Sequence, residues 1–104
     1  MNAKIRKQVP FLTYLTNATR NQRRVLVKAL TLAQVKVISE VVLNILLQNV
    51  TLSQEQRSKL LPYRETLEFM ANRGVSLKDK RRRLKRRMKA ILTVLRMFLD
   101  KIEA

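Results

Sequence analysis

The chain contains no cysteine and no histidine among its 104 residues. Without cysteine, it has no disulfide framework, no thiol nucleophile and no thiolate metal site. Without histidine, it lacks the commonest general base and the commonest zinc ligand. The seven acidic residues are scattered, and the sequence shows no glycine-rich phosphate loop and no nucleophile–base pairing. We therefore expect a protein that is not an enzyme and that needs neither a metal ion nor a cofactor.

Residues that break helices are also scarce, since the chain has one glycine and two prolines. Apolar residues make up 46% of the sequence, a fraction well above that of a disordered basic tail. They recur at helical spacing almost throughout the chain. The predicted fold is all-α, a small bundle of about five helices that ends in a long basic, amphipathic C-terminal helix. The expected helices cover residues 10–15, 20–30, 32–48, 54–72 and 77–103, and the second is allowed to continue into the third.

Local signals mark several of these helix boundaries. A serine or threonine followed three residues later by glutamine or an acid predicts an N-terminal capping box. Pro62 is expected to kink or split the fourth helix near Leu61, and Gly74 is expected to end it in a left-handed conformation. The capping pairs are Thr19 with Gln22, Ser53 with Gln56, and Ser76 with Asp79.

The chain is predicted to be a single folded body with two parts. Residues 1–75 form a helical core domain, and residues 76–104 form the C-terminal helix, which we expect to pack on that domain. The most apolar stretch, residues 35–47, is too short and too interrupted by polar residues to span a bilayer. The N-terminal residues do not have the composition of a secretory signal.

The C-terminal helix carries nine lysines and arginines between Leu77 and Lys89, beside a single acid, Asp79. Solvated surfaces normally mix both signs of charge, and this segment does not. The formal net charge of the whole chain is +16, so a polyanion such as nucleic acid would bind with release of its condensed counterions. The predicted nucleic-acid contacts in this segment are Lys78, Lys80, Arg81, Arg82, Arg83, Lys85, Arg86, Arg87 and Lys89.

A second basic patch lies near the N-terminus. Arg20, Arg23, Arg24 and Lys28 follow the spacing of one helical face, and no acid precedes Glu40. The sequence leaves two arrangements open. Either the two basic regions are separate surfaces that engage two nucleic-acid segments, or they form one contiguous patch in the folded protein.

The C-terminal helix also has an apolar seam whose members alternate at spacings of four and three residues, as in a coiled coil. Two interpretations of the seam stay open at this point. It packs on the core of its own domain, or it mates with a second copy and places two basic clusters side by side in a homo-oligomer. The candidate self-association residues are Leu84, Met88, Ile91, Leu95, Phe98 and Ile102.

Two other functions compete with a purely electrostatic contact. Residues 70–76, before the basic helix, resemble the turn of a helix-turn-helix regulator. That motif needs a buried apolar residue about four positions after the serine, and here that position is Lys80. A membrane-active protein would instead use the apolar face from Leu84 to Ile102 against anionic lipid, and we consider this membrane role the less favoured.

Three segments carry a resemblance to a known group of proteins: residues 37–46, residues 49–53, and residues 74–78 after the Leu60-Leu61 pair. With them, residues 30–85 resemble short basic proteins of Polinton/Maverick elements and adintovirus-like DNA viruses. The resemblance implies a counterpart of adenoviral DNA-condensing core proteins and a place in the virion or the nucleus. It supplies no catalytic residues, and residues 89–104 differ from the glycine-rich tails of that group.

The sequence as a whole predicts a structural protein that binds DNA through lysine and arginine contacts to phosphate. With so many cations, attraction to phosphate would outweigh any discrimination between bases. The expected role is therefore condensation or packaging without sequence preference. Duplex DNA is the favoured partner, although charge alone does not separate DNA from RNA.

Overall fold

The computed structural model describes residues 3–103, and within them the protein is all-helical, with no strand. The all-α prediction is therefore confirmed, although the helices are more numerous and shorter than expected. Over these residues the α-helices are α1 (Ala3–Lys7), α2 (Val9–Asn17), α3 (Arg20–Lys28), α4 (Leu32–Leu46), α5 (Gln54–Leu60), α6 (Arg64–Ala71), α7 (Leu77–Arg86) and α8 (Met88–Glu103), with a 3-10 turn at Leu61–Tyr63.

The long C-terminal helix of the prediction is two helices in the structure. They meet at Arg87, whose φ of −124° and ψ of 34° lie outside the helical range. Leu84 in α7 and Ile91 in α8 are both fully buried, so each helix inserts its own anchor into the core. The non-helical backbone at Arg87 separates the two helices, and both of them reach the core.

Capping residues fix the starts of the other helices. The predicted boxes at Thr19 and at Ser53 are both present, and Ser76 accepts a hydrogen bond from the Asp79 N–H at 3.1 Å. A further box, formed by Thr31 and Gln34, starts α4 and separates it from α3. The 3-10 turn contains Pro62 and divides α5 from α6, which confirms the split expected there.

The one left-handed residue among those described is Gln48 rather than Gly74. Gln48 has a φ of 60° and follows α4, where the Asn49 N–H donates to the Asn44 carbonyl at 3.0 Å. This is the Schellman pattern of hydrogen bonds that ends many helices. At Gly74 the prediction was wrong, because the Asn72 side chain ends α6 by accepting the Gly74 N–H at 2.8 Å.

The core is built around α4 and α8. Helix α4 contacts α1, α6, α7 and α8, while α8 contacts α2 and α5 as well. Val35, Ile38 and Val41 from α4 are fully buried, as are Leu95 and Val94 from α8. The basic helix α7 contacts both α4 and α8, so it packs against this core.

Within residues 3–103, no single helix is both long and apolar enough to cross a membrane. Helices α3 and α4 together meet that test of length and composition, but they are bent by 113° where they join.

Candidate nucleic-acid interface

The first wall of the candidate interface is α3, which presents a row of cations to solvent. The Thr19 hydroxyl accepts the Gln22 N–H at 3.2 Å, and the Gln22 side-chain oxygen accepts the Thr19 N–H at 2.8 Å. Val27 is buried and turns one side of α3 towards the core. The cations outside the core on α3 are Arg20, Arg23, Arg24 and Lys28.

The second wall is formed by the end of α7 and the first half of α8. Helix α3 packs against α7, so the two basic regions come together although they are distant in sequence. Leu84 and Ile91 anchor this wall in the core on either side of the break at Arg87. The cations that this wall contributes are Lys85, Arg86, Lys89 and Arg96.

Between the two walls lies an open groove of about 660 Å³. Its apolar lining is Val27, Met88 and Leu92, and none of the aspartates or glutamates in the described residues lines it. The remaining lining residues are the eight cations just named, four from each wall. The two basic regions that the sequence left either separate or joined therefore share one surface, which we call the basic groove.

Four carboxylates of the described residues form ion pairs, all with cations outside the basic groove. None of the ion pairs within residues 3–103 includes a cation of the basic groove. Eight like charges therefore face the same solvent volume, and their mutual repulsion is relieved by a bound polyanion. The ion pairs are Lys59 with Glu55, Arg64 with Glu68, Arg82 with Asp79, and Arg83 with Glu65.

Arg96 is a groove cation that the sequence prediction missed. Its guanidinium Nη2 donates to the Thr16 carbonyl at 3.2 Å, and this hydrogen bond holds the side chain against α2. Its position could have been predicted from spacing. Arg96 follows Lys89 by seven residues, so the two lie on the same side of α8, two turns apart. Arg96 lies among the apolar residues of the seam, so composition alone does not mark it as part of a basic patch.

Lys80 was predicted to contact nucleic acid, but the structure places it in the interior. Its side chain is only 3% exposed, and its Nζ donates to the Ser39 hydroxyl at 2.8 Å. Ser39 in turn donates to the Met70 carbonyl at 2.6 Å. The reason is the helical register, since the fourth residue of α7 faces α4 while Lys78 and Asp79 face solvent. This removes Lys80 from the set of surface contacts.

Two further predicted contacts, Arg81 and Arg83, are half-buried and bind other parts of the protein. Arg81 Nη1 donates to the Leu30 carbonyl at 3.2 Å, which ties α7 to the end of α3. The Arg83 guanidinium lies 4.0 Å from the centre of the Phe69 ring, where a cation–π contact stabilises it. Both residues therefore have structural contacts of their own and do not line the basic groove.

The other predicted contacts are exposed but lie outside the basic groove. Lys78 and Arg87 are exposed on α7 and at the break that follows it. Arg82 Nη1 lies 3.6 Å from Asp79 Oδ1 in an exposed pair, which contributes little to stability and leaves the arginine available. The groove thus contains seven of the thirteen predicted contacts: Arg20, Arg23, Arg24, Lys28, Lys85, Arg86 and Lys89.

The apolar seam packs inside its own chain. Leu84, Ile91 and Leu95 are fully buried, Phe98 is 2% exposed, and only Met88 and Ile102 retain partial exposure. The interpretation in which these six residues join two copies does not fit this fold, because most of them already contact the core. The apolar stripe of α8 is wider than a coiled-coil seam because several helices of the same chain pack against it. The membrane face proposed from Leu84 to Ile102 is covered in the same way.

No cluster of three or more acidic side chains within residues 3–103 is arranged to hold a metal ion. A scan against protein-family models gives no match, and neither a search of curated proteins nor one of solved structures finds a similar chain.

Proposed function

We propose that this protein binds nucleic acid, duplex DNA foremost, through contacts between the basic groove and phosphate oxygens. The observation that carries the proposal is the collection of eight cations from α3, α7 and α8 along one groove that no described carboxylate lines. A folded protein pays for such crowding in repulsion, and a polyanion relieves it. We further propose that the role is condensation or packaging, as in a viral or transposon core protein of the nucleus or virion.

The mechanism is neutralisation of phosphate and release of counterions. Each phosphate contact contributes about 0.9 to the slope of log affinity against log salt, so eight contacts give a slope of roughly −7. Lys78, Arg82 and Arg87 are exposed outside the groove, where a second nucleic-acid segment can reach them. Phosphate contacts both inside and outside the groove would bridge two strands, as condensation requires.

The matched experiment compares two triple variants that each remove three positive charges. One carries Arg24→Gln, Lys28→Gln and Lys89→Gln in the basic groove. The control carries Arg57→Gln, Lys59→Gln and Lys101→Gln, three exposed cations outside it. Binding of several unrelated duplexes is measured at one salt concentration for both variants.

We expect the groove variant to lose affinity by about tenfold for each contact removed at 0.1 M salt, equally for all duplexes. The control should lose much less, because its cations do not converge on one surface. Equal losses for the two variants would show that net charge, not the groove, determines binding. In that case the proposal would fail.

One observation favours a second candidate, a helix-turn-helix regulator. Helix α4 packs across both α6 and α7, and the turn between them places Lys80 in the buried position of that motif, although with a lysine instead of an apolar residue. In this arrangement Lys78, Arg82 and Lys85 would approach base edges. Loss of binding to one duplex sequence after Arg82→Gln, with others unchanged, would select the regulator.

A further inference from the structure

A second cavity lies on another part of the molecule and shares no lining residue with the basic groove. It has a volume of about 830 Å³ and is bounded by α1, α4 and the segment that leads into α7. Its lining includes one carboxylate, Glu40, and five cations: Lys4, Lys7, Lys36, Arg73 and Lys80. Positive charge therefore predominates in this cavity too, which is about as open to solvent as the basic groove.

Lys80 is the unusual member of this set, because a lysine side chain is seldom buried so fully. Its ammonium group has three N–H donors, and the Ser39 hydroxyl accepts one of them. No other acceptor within residues 3–103 takes the remaining two. An acceptor that enters the cavity can therefore take these two donors.

The surroundings of Lys80 favour an anion as that acceptor. Burial and the nearby Arg73 lower the pKa of the Lys80 ammonium group, whereas Glu40 raises it, and burial is the largest of these effects. A bound anion would favour the charged form further. The start of α7 at Ser76 and Leu77 also lines the cavity, and the positive end of a helix dipole attracts negative charge.

We infer that this cavity binds a phosphate dianion, either as inorganic phosphate or as the terminal monoester of a nucleotide or polynucleotide. Lys80 and Arg73 would donate to the phosphate oxygens, and Lys36 and Lys7 would neutralise the remaining charge. A dianion suits five lining cations beside one carboxylate better than a singly charged ion does. The inference goes beyond the proposed function, since it concerns a separate site and a different form of phosphate.

The test follows backbone amide shifts of isotopically labelled protein by NMR during titration with inorganic phosphate. Sodium chloride at matched ionic strength is the control titration. Saturable shifts at Ser39, Arg73 and Ser76 are expected with phosphate and not with chloride. The Lys80→Met variant should weaken this binding at least tenfold, whereas Arg24→Gln in the basic groove should leave it unchanged.

Several results would overturn the inference. Shifts that do not saturate, or that are largest at the basic groove, would show only general attraction of anions. Equal binding by wild type and the Lys80→Met variant would exclude the buried lysine. The variant's own spectrum reports whether it folds, and Arg73→Gln, at an exposed position, gives the same comparison if it does not. In that case Arg73→Gln must weaken phosphate binding for the inference to stand.

A second set of titrations identifies the source of the phosphate. The probes are a nucleoside monophosphate, a short single-stranded oligonucleotide with a 5′-phosphate, and the same oligonucleotide with a 5′-hydroxyl. Binding of the first alone supports a nucleotide site, and binding of the phosphorylated oligonucleotide supports recognition of strand ends. Equal shifts at Ser39 and Ser76 from the 5′-hydroxyl oligonucleotide would contradict the inference, because its phosphates are all diesters. The outcome is independent of duplex binding in the groove.

Discussion

At the scale of single residues, neighbouring cations on α7 have different surroundings. Lys80 is buried against Ser39, Arg81 donates to the Leu30 carbonyl, Arg83 lies over Phe69, and Lys85 lines the basic groove. A run of basic residues in sequence is therefore not a uniform surface. Helical register distributes the side chains between core, packing contacts and solvent.

The Lys80→Met variant tests the cost of that burial. Met fills a similar volume without a charge, and Ser39 keeps its hydrogen bond to the Met70 carbonyl. We expect the free energy of unfolding of this variant to exceed that of wild type by about 1 kcal/mol near pH 7. The measurement is urea unfolding followed by circular dichroism.

The same comparison has a defined pH dependence. Burial lowers the pKa of Lys80 in the folded state below its ordinary value of 10.5. Below the folded pKa, the lysine is charged in both states, so the full cost of burial is present. As pH rises through the folded pKa towards 10.5, the folded state loses the proton first and the cost disappears. The advantage of Lys80→Met should shrink over that range, and an advantage that grows with pH would contradict this account.

At the scale of helices, the end of α4 is strained at Gln48. A residue other than glycine in a left-handed conformation costs about 1 kcal/mol. Gln48→Gly should therefore raise the free energy of unfolding by about that amount, while Gln48→Ala, which keeps a side chain on the left-handed backbone, should not. Thermal unfolding of the two variants measures the difference. Loss of stability in Gln48→Gly would show that its side chain, not its backbone, matters.

The starts of helices could be predicted from the sequence, because a capping box depends on residues only three apart. Thr19 and Ser53 show this, and the box at Thr31 carried the same signal although the prediction allowed α3 to continue into α4. The break at Arg87 could not be predicted in this way. It depends on where Leu84 and Ile91 meet the core, and that is a property of the packed structure.

At the scale of the whole molecule, the apolar seam of α8 determines the oligomeric state that we expect. Because Leu95 is fully buried in its own chain, Leu95→Ala should destabilise the monomer by about 2–5 kcal/mol. Wild-type protein should sediment as a monomer without nucleic acid, and the variant should do the same or unfold. A wild-type dimer that dissociates into folded monomers on this substitution would contradict the packing described.

The basic groove is likewise a property of the whole molecule. Arg20 and Arg24 could be recognised in the sequence as one helical face, and Lys85 and Lys89 as part of a cluster. Their convergence required the packing of α3 on α7, which no local pattern reveals. Most residues of the groove could therefore be predicted from the sequence, but their arrangement could not. The predicted set also included Lys80, because charge alone does not report burial.

Salt titration of binding to duplex DNA measures directly whether the basic groove contacts phosphate. Affinity of wild-type protein for three duplexes of unrelated sequence is measured between about 50 and 400 mM salt. The account predicts the same steep line for all three, with a slope approaching −7 if all eight groove cations engage phosphate. A flat line, or affinities that differ widely between the duplexes, would contradict it.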